Sequence, residues 1–90
     1  MNAFFEATQE QKKLATVGRE MMDYSENYGK EFGLRDVTDD GLRTLNELSH
    51  VGNMLTMVGG VWGTTMKDFS QEDLELIARF MQKKVDIERK

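Results

Sequence analysis

The apolar positions at the start of the chain recur with helical spacing. Stepping 100° per residue through 3–28 gathers the following side chains into one stripe: Ala3, Phe4, Ala7, Leu14, Val17, Met21, Met22, Tyr24 and Tyr28. Charged side chains occupy the opposite side. Gly29 and Gly33 follow, and glycine readily adopts the left-handed conformation that ends helices. The pattern predicts a long amphipathic N-terminal helix that stops near Gly29.

Part of this stripe also follows a seven-residue register. Its members are Ala7, Leu14, Met21 and Tyr28, with Ala3, Val17 and Tyr24 at the intervening position and Glu10 as the misfit. A register of this kind is typical of coiled coils, so the helix has two interpretations. It is either an ordinary core helix or a helix that pairs across a dimer axis. Phe5 lies outside the stripe and is a candidate contact residue.

A second helix is predicted from about residue 39 to about residue 53. Thr38 or Asp39 can cap it, and the carboxylates of Asp39 and Asp40 suit the positive end of the helix dipole. Its apolar face comprises Leu42, Leu45, Leu48, Val51 and Leu55.

The segment at about 54–66 has two readings. Residues 54–58 and 61–65 are rich in apolar and β-branched side chains and flank Gly59-Gly60, a dipeptide suited to a two-residue hairpin turn. Alternatively, the helix continues through the glycines. Each glycine weakens a helix by roughly 1 kcal/mol relative to alanine, so we favour a short β-hairpin.

The last helix is predicted from a capping box, Ser70-x-x-Asp73, followed by the periodic run 74–88. This run is apolar on two arcs. The first arc comprises Leu74, Ile77, Ala78, Met81 and Val85, and the second comprises Leu76, Phe80 and Ile87. The arcs lie about 140° apart on a helical projection, with Asp73 and Lys84 between them. One arc is enough to seat the helix on a core, so the second predicts contact with another chain, unless the hairpin or the N-terminal residues cover it.

Together these elements predict a mainly α fold. Residues 1–90 form a single domain of three helices, with the hairpin before the C-terminal helix. Trp62, beside the glycines of the hairpin, is a candidate anchor, either under the helices or in a partner. The candidate partner-binding residues are Leu76, Phe80, Ile87, Trp62 and Phe5.

The amino-acid composition excludes several kinds of functional site. A chain of 90 residues supports one small core, and its net charge of −4 argues against a phosphate-binding surface. There is no cysteine and only one histidine, His50, so disulfides, thiolate sites and multi-histidine metal clusters are excluded. We expect no cofactor. Residues 48–66 lack formal charge but carry too many polar groups to span a bilayer, and the first residues do not resemble a secretory signal. The expected location is the cytoplasm.

One metal motif occurs. Residues 36–47 place acids at positions one, five and twelve and a glycine at position six of the calcium-loop template. Thr38 and Arg43 depart from that template at positions three and eight. The same residues also form the predicted helix start, and the two interpretations exclude each other.

The expected function is that of a small noncatalytic protein–protein interaction or regulatory domain, which self-associates as a dimer through its C-terminal helix. The first alternative is a winged-helix-like regulator that binds nucleic acid. Residues 54–66 contain no lysine or arginine, so such a wing would carry no cationic phosphate contact. The second alternative is a calcium-binding domain that uses residues 36–47.

Overall fold

A computed structural model describes residues 9–58, 60 and 63–90. Within these ranges the chain forms helices α1 (Gln9–Phe32), α2 (Asp39–Thr56) and α3 (Gln71–Met81), with a 3₁₀ turn at Met66–Asp68. The predicted mainly α class is therefore confirmed.

Helices α1 and α2 form an antiparallel pair whose backbones approach closely at Gly18 and Gly52. A Cβ atom on Gly18 would lie 2.4 Å from the Gly52 carbonyl oxygen, and one on Gly52 would lie 2.6 Å from the Gly18 carbonyl oxygen. The residues around this crossing build the core, with Met21, Leu48, Val51 and Leu55 fully buried. The crossing can be this close only because neither position carries a side chain.

The predicted starts of α2 and α3 are correct, whereas the start predicted for the first helix, at about residue 3, lies outside the described residues. The Thr38 hydroxyl oxygen accepts a hydrogen bond from the Gly41 N–H at 3.1 Å, so Thr38 rather than Asp39 caps α2. At α3, the Ser70 hydroxyl oxygen accepts from the Asp73 N–H at 3.1 Å. The Asp73 carboxylate accepts from the Ser70 N–H at 3.3 Å, which completes the capping box.

The predicted end of α1 near Gly29 is wrong. The helix continues to Phe32, and Gly33, with φ +74°, ends it. The Gly33 N–H donates to the Gly29 carbonyl at 3.1 Å. Of the two glycines, only Gly33 adopts the left-handed conformation.

The hairpin predicted at about 54–66 is not supported. Helix α2 continues to Thr56, because Leu55 is fully buried in the core. Val58 and Thr64 then form an isolated bridge that is parallel, whereas the strands of a hairpin are antiparallel. Gly60 closes a turn onto Met57 within this connection. The alternative of a helix that runs on through the glycines is also wrong, since the helix has ended before them.

Helix α3 ends at Met81, so the periodic run to residue 88 is only partly helical. The Lys84 N–H donates to the Arg79 carbonyl at 2.8 Å, and the Lys83 N–H donates to the Phe80 carbonyl at 3.0 Å. With Lys83 at φ +59°, this arrangement is a Schellman motif in which lysine takes the usual place of glycine.

Lys83→Gly is therefore expected to stabilise the protein by about 0.5–1 kcal/mol, because glycine adopts a positive φ without the steric cost that a Cβ atom imposes. The measurement is chemical denaturation. Lys84→Gly is the matched control, since it removes the same charge at the next position, where φ is not positive. Equal effects of the two substitutions would show that the helix does not end in this geometry.

The chain beyond α3 runs back to the start of α2. The Thr38 N–H donates to the Glu88 carbonyl at 3.0 Å, and the Lys90 N–H donates to the Asp36 carbonyl at 2.6 Å. Arg89 donates to the Phe32 and Gly33 carbonyls and thereby caps the C-terminus of α1. Residues 84–90 are thus an extended C-terminal segment rather than the last turns of a helix.

Candidate functional site

The residues predicted to form the second arc of the last helix do not form one exposed surface. Leu76 is only 2% exposed and belongs to the core, whereas Phe80 and Ile87 are half-buried against it. Ile87 lies in the extended C-terminal segment, so it shares no helical face with the other two.

In the structure the helical residues of the two predicted arcs form one apolar face of α3. The polar residues that the sequence places between the arcs do not lie on this face. The Asp73 side chain turns back to cap the first turn of α3. Lys84 lies beyond the end of the helix. Leu76, from one arc, and Ile77, from the other, are consequently both buried. The face between the arcs is the one that packs on the core.

The other two predicted partner-binding residues, Phe5 and Trp62, lie outside the residues that the structure describes. Their roles remain predictions from the sequence.

An apolar groove lies between α1 and the end of α3. It has a volume of about 530 Å³ and is lined by Val17, Glu20, Tyr24, Phe80, Met81, Lys83 and Val85. Met81 is 59% exposed and Tyr24 is 37% exposed, although both are large apolar side chains. We call this surface the α1–α3 groove.

Aromatic rings build one wall of the α1–α3 groove. The Tyr24 ring contacts the Phe80 ring edge to face, with the centroids 5.9 Å apart. Along α1 the ladder continues from Tyr24 to Tyr28 at 6.1 Å and from Tyr28 to Phe32 at 5.1 Å. These contacts hold Tyr24 in place in that wall.

The Tyr24 phenol is a neutral group at physiological pH. Burial raises its pKa above the ordinary value, and the nearby Tyr28 and Asp86 raise it further. The hydroxyl therefore keeps its proton and offers one hydrogen-bond donor within an apolar surface.

The groove extends along α1 in both directions. Toward the N-terminus of the helix, a depression shares Val17 and Met81 with it and reaches Lys12 and Lys13. Toward the C-terminus, a second depression shares Tyr24 with it and reaches Phe32. Because the depressions follow one helix, the combined surface is elongated and suits an extended or helical ligand better than a compact one.

Most of the groove residues belong to stripes that the sequence predicts to face the core. Val17 and Tyr24 were placed in the apolar stripe of the first helix, and Met81 and Val85 in the first arc of the last one. The available signal was the large number of apolar residues in the stripe on α1, one of which, Tyr24, stays exposed in the structure. The alternation in Val85-Asp86-Ile87-Glu88 was a second signal, since period two indicates extended backbone.

The structure does not support the calcium-loop and winged-helix alternatives. Residues 39–47, proposed as part of a calcium loop, are helical, and Asp40 pairs with Arg43 at 2.9 Å. Among the described residues, no group of three or more acidic or histidine side chains is placed to hold a metal ion. The winged-helix alternative lacks its hairpin. His50 is exposed on α2.

No helix in the described parts of the chain is both long and apolar enough to cross a membrane.

No family model, no curated protein and no solved structure matches this chain.

Proposed function

We propose that this chain is a noncatalytic protein interaction domain that binds a protein partner through the α1–α3 groove. The observation that carries the proposal is the exposure of Met81 and Tyr24 in a groove whose other apolar side chains are half-buried. Covering this surface would remove apolar area from water at about 25 cal/mol per Å².

The composition of the groove favours a protein ligand. Aromatic residues and methionine are enriched at protein interfaces, and the flexible thioether of methionine adapts to irregular partner surfaces. The charged Glu20 and Lys83 at the groove are suited to orienting a ligand without supplying most of the binding energy. An amphipathic helix laid along α1 fits this arrangement.

Site-specific photo-crosslinking tests the proposal. The full chain carries a benzophenone amino acid in place of Met81, and it is irradiated in purified form and in a cell extract. The expected result is protein adducts from position 81, because a bound partner would cover that side chain. The adduct masses, determined by mass spectrometry, identify the partner.

Asn46 is the matched control position, since it is exposed on the side of α2 that faces away from the core. Few adducts are expected there. If positions 46 and 81 give similar yields, or if neither gives a specific adduct, the groove is not a binding surface.

A further inference from the structure

We infer that the occupant of the α1–α3 groove is a second copy of this chain, with the two α1 helices antiparallel. The inference rests on the proposed function and adds the identity and orientation of the partner. In this register, Lys13 lies opposite Glu31 of the partner subunit. The argument comes from the positions and the charges of side chains along α1.

Lys13 and Glu31 lie on one line of the helix surface. Five turns of an α-helix contain about 18 residues, so these two side chains point the same way about 27 Å apart. Tyr24 lies between them, about three turns from Lys13 and two from Glu31, and Val17 and Glu20 are close to the same line. The two charges therefore flank the apolar part of the groove.

Both charged side chains are available for contact. Lys13 and Glu31 are exposed, and neither belongs to an ion pair with any other described residue. The pairs formed by Lys30 with Glu26 and by Arg43 with Asp40 lie elsewhere on the surface.

The charge of α1 is divided between its two halves. Residues 9–19 carry three cations and one acid, which are Glu10, Lys12, Lys13 and Arg19. Residues 20–32 carry four acids and one cation, which are Glu20, Asp23, Glu26, Lys30 and Glu31. The net charges of the halves are thus +2 and −3. A parallel pair would place like halves together, whereas an antiparallel pair places the positive half of each helix beside the negative half of the other.

In a two-fold symmetric dimer, each contact between opposite charges occurs twice. An isologous interface forms the Lys13–Glu31 contact once at each end and places the Tyr24 and Met81 region of both copies near the centre. Exposed ion pairs contribute little affinity, so burial of the central apolar side chains drives association and the charges select its direction. The α1 helix of a second copy therefore has the apolar side chains and the charges that complement the groove.

Reciprocal charge substitution tests this inference. Sedimentation velocity over a range of concentrations is expected to show reversible dimerisation of the full chain. Lys13→Glu and Glu31→Lys should each raise the dimer dissociation constant about tenfold, because each puts like charges together at both ends. The double variant Lys13→Glu/Glu31→Lys should return it to within about threefold of the unmodified value.

Glu47→Lys is the matched control for Glu31→Lys, because it makes the same charge change at an exposed position on α2, outside the α1–α3 groove and both of its extensions. It should leave the dissociation constant nearly unchanged. All three substituted positions are exposed, and circular dichroism of each variant checks that the helices remain. Dimerisation that responds equally to Glu47→Lys and Glu31→Lys, or that the double variant does not restore, would overturn the antiparallel register.

A chain that stays monomeric at every concentration would overturn the inference altogether. The proposed function is judged separately. Crosslinked adducts of another mass from position 81, together with a monomeric chain, would retain the groove as a binding site and reject the second copy as its occupant.

Discussion

Leu76→Ala is expected to lower the free energy of unfolding by roughly 2–4 kcal/mol, because it leaves a cavity in a core that excludes water almost completely. Leu76 is 2% exposed within a single protomer and packs with Ile77 and Phe69 in the same buried cluster. Urea denaturation followed by circular dichroism measures the loss. The loss should be the same at two protein concentrations that differ about tenfold, since the contacts are made within one chain.

Leu42→Ala supplies the control for this experiment. The same atoms are removed from a side chain that is 36% exposed, so the expected loss is below about 1 kcal/mol. If the effect of Leu76→Ala disappeared on dilution, the residue would stabilise an assembly rather than the protomer, as the two apolar arcs in the sequence predict.

Gly18→Ala is expected to destabilise the protein by about 1–3 kcal/mol, although alanine is the better helix former by roughly 1 kcal/mol. The added Cβ atom would meet the Gly52 carbonyl oxygen at 2.4 Å and the Leu55 Cβ atom at 2.9 Å. Backbone atoms cannot swing aside as a side chain can, so α1 and α2 must move apart and their shared core loosens. Thermal unfolding should show a decrease in Tm of about 4–8 °C per kcal/mol.

Gly29→Ala makes the same substitution in the same helix without the same collision. Its Cβ atom would have Leu34 side-chain atoms as its nearest neighbours, at 3.3 Å or more, and this side chain is free to shift. We therefore expect a stabilisation of about 0.5–1 kcal/mol from helix propensity and reduced chain entropy. Destabilisation of similar size at both positions would mean that the helix crossing is not centred on Gly18.

Local sequence was sufficient where the interacting atoms are close along the chain. The caps of α2 and α3 involve residues three apart, as with Ser70 and Asp73. Such caps can be predicted from the side chains alone, because they need no tertiary contact. The mainly α class followed from helical periodicity for the same reason. The helix ends were predicted less accurately. Both Gly29 and Gly33 could end α1 by sequence, and in the structure only Gly33 adopts the left-handed conformation.

The site depended on contacts between distant residues. The Thr38 N–H bonds to Glu88, 50 residues away, and the turn at Lys83 directs the chain toward that contact. Ending α3 at Met81 left this side chain exposed beside Tyr24 and moved Ile87 off the helix. Apolar periodicity predicts a helix for as long as the spacing continues. It cannot show that the backbone forms hydrogen bonds with a distant part of the chain instead.

The amino-acid sequence by itself determined that this protein is mainly helical, where two of its helices begin and which side chains are apolar enough to be buried. Only the tertiary structure decided which of those side chains the protomer covers. The reason is physical, because helical spacing depends on neighbours within a few residues, whereas the choice between Leu76 inside and Met81 outside depends on how whole helices meet.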